Sequence, residues 1–519
     1  MFITLPVLMA YLLQSSLCEA VLHVFRWFNA YLTRTYDNPD EYWQGQEIAH
    51  YLTFGYGYLT WEWRERIRSF AHPFIIAFVY KLIQLLGLDN TDFLVFMPRY
   101  IQSSLTAVAD FAIYSLSKRI MGNDVALPML FTTLCSWFNF FMAARTLSNT
   151  MEMMLTVVAL NYWPLSGVVH LGDTKSWLRS YQISLIFASI ACIIRPTNAL
   201  IWMYLGSQLL ISSGSKRFIV ALNAAFVCST VLFMNIFIDT TLYEYDWFQV
   251  FKNPVFTPYL FFKLNVVQGI SLFYGVHQWH WYLSQGLPVI LTSMIPFMLY
   301  GLCKIYAKPN IYNRMKSLLS MSLWIVFIYS LLPHKEFRFI YPIVPVLLMV
   351  VSYGLAQIQS SAWRKRAYIF LILTQFPVAL YLSLWHQRGV IDAMMWLRNE
   401  SQQNRIKSIG VLMPCHSTPW ESILHNPNIP KWFLTCEPPI SDNSIDEADE
   451  FYQDPIQFLR SHTNDRIWPT THLVIFDNLL PILYRDLQYY GYQECQRFFN
   501  SHFHDDSRRK GDVVILCRH

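Results

Sequence analysis

Charge is what this sequence has least of. Asp, Glu, Lys and Arg make up 14% of its 519 residues, where a soluble domain carries about a quarter. With 54% hydrophobic residues, a water-soluble fold of this size would struggle to hide its apolar surface. No basic tract of the kind that binds nucleic acid occurs, and the net charge is only +5. None of the 9 cysteines shows metal-ligand spacing, and no Asp-x-Asp triplet is present, so the sequence demands no metal. Nor is there an internal repeat of the sort many transporters carry, which weighs against a lipid transporter or scramblase, the different-class alternative.

What is present points to a membrane. Aromatic residues reach 17%, with 18 Trp and 31 Tyr, as suits two long membrane–water interfaces. A spanning helix needs about 20 mostly apolar residues. Stretches of this kind lie at 5–30, 93–116, 124–143, 150–170, 180–195, 198–213, 217–238, 286–303, 317–333, 339–358 and 367–385, about eleven in all. The first has a rival reading as a cleaved signal peptide, since residues 2–13 are apolar and Ser15 and Ser16 follow. No basic residue precedes that run and apolar character resumes at Val21–Tyr31, so a spanning helix is preferred. Residues 71–88 are apolar but short and contain Lys81; they predict a helix in the interface.

Basic residues test the orientation. With a cytosolic N-terminus, the cytosolic connections would hold Lys118–Arg119, Lys175 with Arg179, Lys216–Arg217, Lys304 to Lys316, and Arg364–Lys365–Arg366. Each is basic, as cytosolic connections are. The opposite side would hold the acid-rich segment 31–70, the aromatic segment 239–285 and the C-terminal tail. Segment 31–70 also has several arginines, which the rule does not account for.

The expected architecture is therefore an all-α polytopic membrane body, 1–385, with a large first lumenal loop (31–92), followed by a small lumenal α/β domain, 386–519. In the tail, Ser408–Met413, His472–Phe476 and Asp512–Leu516 read as short buried strands, and Asp442–Glu450 as an acidic, mobile stretch. Cys415, Cys436, Cys495 and Cys517 could form disulfides there, with open connectivity. Asn399-Glu400-Ser401 is a glycosylation sequon.

Two constellations could carry chemistry. Pro39-Asp40-Glu41 places two carboxylates just past the first span. The proline disfavours helix at Asn38, so a helix should begin near Asp40, and its N-terminus stabilises carboxylates. A helix cap would explain the pair equally well. As a functional pair it could supply the one general base that a sugar hydroxyl needs to attack an activated anomeric carbon. The second constellation, His334-Lys335-Glu336-Phe337-Arg338-Phe339, packs three cationic or potentially cationic groups between two spans, which suits a phosphate. Possible further substrate-binding residues are Trp61 and Glu62 in an aromatic run, and Arg99, Arg145 and Arg195, for each of which a structural ion pair is an equal reading.

The hexapeptide His334–Phe339 resembles the signature of the dolichyl-phosphate-mannose-dependent α-mannosyltransferases of N-glycan and GPI-anchor assembly, and Asp40-Glu41 matches their acidic pair. The stretches Pro39–Gln44, Gly57–Trp63, Arg145–Glu152 and Cys415–Pro419 narrow the resemblance to the branch adding the third mannose of the GPI anchor. An enzyme extending the N-glycan precursor is the same-class alternative. The resemblance implies a GT-C fold in the endoplasmic reticulum membrane. It implies inverting α-1,2 transfer from dolichyl phosphate mannose, a donor substrate rather than a cofactor, to a GPI glycolipid. It implies Asp40 as base, with Glu41 orienting the acceptor or replacing it. Donor binding falls to His334, Lys335, Glu336 and Arg338.

Overall fold

The computed structural model of the chain describes residues 5–165, 174–438, 445–461 and 468–518. It divides into two compact units, one formed by Met1–Tyr31, Glu65–His72 and Arg99–Ala379, the other by Leu32–Arg64, Pro73–Pro98 and Leu380–His519.

The first unit is a helical bundle. Each of the eleven expected spans is helical over most of its described length. Among the described residues, five stretches are both long and apolar enough to cross a membrane: Trp177–Ile194, Gly214–Glu244, Tyr282–Tyr306, Phe337–Ala356 and Ser361–Gln402. A sixth is a pair, Asn123–Cys135 and Trp137–Ala143, bent by 65°. The bend falls at Ser136, whose backbone leaves the helical region and whose hydroxyl caps Asn139. Other helices fall short of a clean span by length, as Ser148–Tyr162 and Ala199–Ser212 do at 15 and 14 residues. The helix Phe93–Met121 contains Arg99 and Asp110, both 3% exposed. Asp110 takes a two-pronged ion pair from Arg26 of the helix Leu5–Leu32, at 2.5 and 3.0 Å. Two buried charges thus neutralise each other.

The helices differ in depth. In Phe337–Ala356, 83% of the span is buried within the protein, against 17% in Gly214–Glu244, so the former is central and the latter faces the bilayer. The helices Ile295–Tyr306 and Val344–Ala356 touch backbone to backbone. A Cβ on Gly301 would sit 2.1 Å from the Val350 carbonyl, and one on Gly354 would sit 2.2 Å from that of Phe297. Small residues allow this approach, as between helices in lipid.

The second unit is built on a five-stranded sheet: β1 (Ile409–Leu412), β2 (Lys431–Phe433), β3 (His472–Phe476), β4 (Tyr492–Ser501) and β5 (Gly511–Arg518), in the order β2-β1-β3-β5-β4. β1 is parallel to β2 and β3, while β5 is antiparallel to β3 and β4. The middle strands β1, β3 and β5 are apolar on both faces, as sheets covered on both sides are. Val411, Val474 and Ile515 meet one core with Leu397 and Trp420. Leu412, Leu473, Ile475 and Val514 meet the other, with Phe451, Phe458 and Leu483. Tyr36, Tyr42 and Trp43 are buried in the first of these cores, so the segment after the first span folds with the tail.

The tail departs from expectation at Asp442–Glu450. Residues 442–444 lie outside the described residues, but Glu447–Gln453 is a helix rather than a mobile stretch. Asp446 caps it by accepting a hydrogen bond from the Asp449 N–H at 2.7 Å. The disulfides are Cys415–Cys436 and Cys495–Cys517, the latter joining β4 to β5.

Candidate active site

The acidic pair begins a helix as expected. The Asn38 side chain accepts from the Asp40 N–H at 3.0 Å, and the Asn38 carbonyl from the Glu41 N–H at 3.0 Å. The next turn, Tyr42–Gln46, is a π-helix, a rare form found often at functional sites. The two carboxylates are not equivalent: Asp40 is half-buried, whereas Glu41 is fully buried. Gln44, one turn on, donates to Glu62 at 3.1 and 3.3 Å. That bond ties the aromatic run around Trp61 to the acidic helix.

A loop of the same unit holds this helix from behind. The Tyr36 hydroxyl donates to the His416 carbonyl, and Trp43 Nε1 to that of Thr418 at 3.0 Å. The Trp43 and His416 rings lie 4.2 Å apart. Glu47 accepts from the Trp420 N–H at 2.8 Å and from the Ser422 N–H at 3.1 Å. Burial raises its pKa to about 7, against the lowering effect of those bonds. Burial also drives His416 down to about 3, helped by the Arg509 charge. Sequence reasoning missed Glu47, and no local signal marks it. Cys415, His416 and Cys436 form the one close trio of metal-ligand types among the described residues. Both sulfurs are taken by the disulfide and offer no thiolate.

In the first unit, the hexapeptide is laced to neighbouring backbone. Lys335 is 2% exposed. It donates to the carbonyls of His277, at 3.1 Å, and Leu332, and burial lowers its pKa. Glu336 explains the acid among the cations. It takes Arg338 through two bonds, at 2.6 and 2.9 Å, and lies 3.1 Å from His334 Nε2. Burial opposes its ionisation, but the charge of Arg338 and the bonds from His334 and Arg338 outweigh this and hold it well below the usual carboxylate range.

Two other stretches converge here. Asn149 donates to the Arg338 carbonyl at 3.3 Å, and Arg195 donates to Ser148 and Asn149 at 3.2 and 3.3 Å. Arg195 pairs with Glu152 at 3.1 Å and lies 5.5 Å from the centre of the Phe339 ring. It also feels the like charges of Arg338 and Arg68. Three cations, Arg68, Arg195 and Arg338, thus gather with two carboxylates, Glu152 and Glu336. The excess of positive charge is what an anion site needs. Sequence reasoning missed Arg68. Its signal was the set of arginines in 31–70 that broke the charge rule.

Residues 19–425 match the Alg9-like mannosyltransferase family. The chain belongs to that family. Among its Alg9-like relatives, human GPI alpha-1,2-mannosyltransferase 3 is 40% identical over 92% of this chain and 82% of its own length. GPI mannosyltransferase 3 of Yarrowia lipolytica is 38% identical over 95% and 96%. The fold is that of the GT-C glycosyltransferases. ArnT of Cupriavidus metallidurans, solved bound to undecaprenyl phosphate, superposes with a TM-score of 0.60 at 13% identity, over 96% of this chain and 97% of that one. The Archaeoglobus fulgidus oligosaccharyltransferase gives 0.55 at 10%, over 90% and 70%.

The remaining candidate residues of this Alg9-like chain are placed as follows. Arg145 is buried; its Nε donates to the Phe141 carbonyl at 3.1 Å, and its guanidinium lies 4.0 Å from the centre of that ring. Trp61 is buried at 6% exposure. Arg99 is buried in the same helix as Asp110, the partner of Arg26.

The loop behind the acidic helix yields a prediction. Cys415–Cys436 closes a loop of sequence separation 21, a constraint worth about 3 kcal/mol in the chain-entropy account. The double variant Cys415→Ser/Cys436→Ser should lower stability by about that much. It should cost mannose transfer more than donor affinity, since the loop supports Tyr36, Trp43 and Glu47. Thermal unfolding of the purified protein, with donor titrations alongside, measures both. An unchanged unfolding midpoint would show that the bridge does not support the loop.

Proposed function

We propose that the chain transfers the third mannose, in α-1,2 linkage, from dolichyl phosphate mannose to the GPI-anchor precursor in the lumen of the endoplasmic reticulum. The convergence of Arg68, Arg195 and Arg338 around the hexapeptide is the observation that carries the reading. Such a cluster suits the phosphate of a lipid-linked donor, and a relative of the same fold was solved with a polyprenyl phosphate.

In the proposed reaction, a hydroxyl of the acceptor's second mannose attacks the donor's anomeric carbon. The bond from that carbon to the phosphate oxygen breaks, and dolichyl phosphate leaves with the electron pair. Configuration inverts, from β to α. The hydroxyl proton passes to Asp40, which is more open than its neighbour; Glu41 orients the acceptor or takes over as base. His334, Lys335 and Arg338 hold the donor, with Glu336 fixing the fork of Arg338. A phosphate leaves with little or no proton help, so one carboxylate suffices, and the cations can neutralise it without a metal.

The reading carries a topology of about eleven crossings with a cytosolic N-terminus and a lumenal C-terminal domain. Glycosylation tags placed near Ser360 and after Ser441 test it: the second should be modified and the first should not. The reverse pattern would put both candidate loops in the cytosol. The function is tested by the intermediate that accumulates in cells lacking the protein. A two-mannose GPI precursor is the expected result. A truncated N-glycan donor would assign the chain to N-glycan extension instead.

A further inference from the structure

The second unit contains a cavity of about 720 Å³, wide open to solvent, that the transfer chemistry does not use. Its size falls within the ~300–1,000 Å³ of small-molecule sites. No Lys or Arg lines it, in contrast to the cationic cluster of the first unit, so it is not built for a phosphate. Side-chain amides dominate the wall. Those of Asn90, Asn404 and Asn428 are exposed and have no hydrogen-bond partner among the described residues. An amide offers a donor and an acceptor side by side, which matches two adjacent hydroxyls of a sugar ring.

The floor is aromatic and held in place. His425 lies 2.8 Å from His50 Nε2 and 3.1 Å from the Tyr56 hydroxyl through Nδ1, and its Nε2 lies 3.5 Å from Asp89. The Phe54 ring sits 4.6 Å from that imidazole. The backbone of His425 is left-handed, with φ of 46°, where it caps the C-terminal end of the helix Glu421–Leu424 and donates to the Glu421 carbonyl. An aromatic face with a negative quadrupole packs well against the C–H face of a pyranose. Asp89 adds one charged acceptor for a hydroxyl.

We propose that this cavity is a binding site for a neutral hexopyranose, separate from the donor and base residues. Two sources share that chemistry. One is the sugar chain of a glycolipid presented from outside. The other is a glycan that the sequon at Asn399 would carry, on an exposed residue three positions before Gln402 of the cavity wall.

The test uses the full-length protein in lipid nanodiscs, with α-1,2-mannobiose as probe in saturation-transfer NMR. One preparation is treated with endoglycosidase and one is not. The double variant Asn90→Ala/Asn428→Ala separates this site from the transfer site, because both residues are exposed and outside the catalytic assignment. Saturable binding weakened about tenfold by the double variant is the expected result, from the loss of two hydrogen-bonding amides. Binding in both preparations identifies an external sugar chain; binding only after endoglycosidase identifies the protein's own glycan. No saturable binding in either preparation, or binding untouched by the double variant, overturns the proposal. Mannose transfer measured on the same samples keeps the two readings apart: a sample that transfers mannose yet shows either negative result sinks the cavity alone.

Discussion

Asp40→Asn is expected to cut mannose transfer by about 100- to 10,000-fold, the range for loss of a general base. The change keeps the size and shape of the side chain but removes its ability to take a proton. Binding of donor and acceptor should change far less, because the lost interaction develops mainly in the transition state. The bond from the Asp40 backbone N–H to the Asn38 side chain does not need the carboxylate and should survive the change. Glu41→Gln is the informative control. Glu41 is fully buried whereas Asp40 is half-buried, so the more open carboxylate is the better placed to meet a hydroxyl. Glu41→Gln should therefore hurt turnover less than Asp40→Asn, and part of its effect should appear as lower protein yield. The measurement is transfer in microsomes containing equal amounts of each variant. Near-normal transfer by Asp40→Asn with Glu41→Gln inactive would hand the base role to Glu41. Near-normal transfer by both would reduce the pair to a helix cap.

The parts of this protein written in contiguous residues could be read from the sequence. The helix start at Asp40, the hexapeptide and the strands β1, β3 and β5 all rest on short-range signals: a proline, a charge cluster, a run of apolar side chains. β4 escaped notice because it lies at the sheet edge, with a largely exposed, polar face and register shifts near Glu494 and Phe498. β2 escaped because it has three residues. Glu47 could not be found locally, because its partners, Trp420 and Ser422, lie some 370 residues away. The domain plan showed the same limit. Composition puts the boundary near residue 385, whereas the compact unit of the sheet also takes in Leu32–Arg64 and Pro73–Pro98.

The arginines of segment 31–70 show how a departure from a rule can be read. They were the one departure from an otherwise orderly charge pattern. In the structure Arg64 pairs with Glu437 in one unit, and Arg66 pairs with Glu244 in the other. Arg68 joins the field around Arg195. Arg64, Arg66 and Arg68 each have a charged neighbour in their own unit, a demand on charge that is independent of the side of the membrane.

Arg338→Ala is expected to weaken use of dolichyl phosphate mannose by roughly ten- to a hundredfold, the worth of one charge-assisted hydrogen bond at about 1.5–3 kcal/mol. The structure sharpens what that loss would mean. Arg338 is held by both oxygens of Glu336, and its removal leaves that half-buried carboxylate without its main cation. The site would lose one positive charge and expose one negative charge to the donor phosphate, so both changes act in the same direction. Arg338→Lys should recover part of the loss, since it keeps the charge but not the planar fork. Lys335→Ala should behave differently. The ammonium of Lys335 donates to the carbonyls of His277 and Leu332, so truncation should loosen the loop and lower protein yield as well as donor use. Glu336→Gln separates orientation from charge: it removes a negative charge from the site but unfixes the guanidinium. If orientation dominates, donor use falls; if net charge dominates, it rises. The readout is the dependence of transfer rate on donor concentration in correctly inserted protein. Unchanged donor dependence in both Arg338→Ala and Lys335→Ala would remove the phosphate role from the hexapeptide and leave Arg195 and Arg68 as the cations to test next.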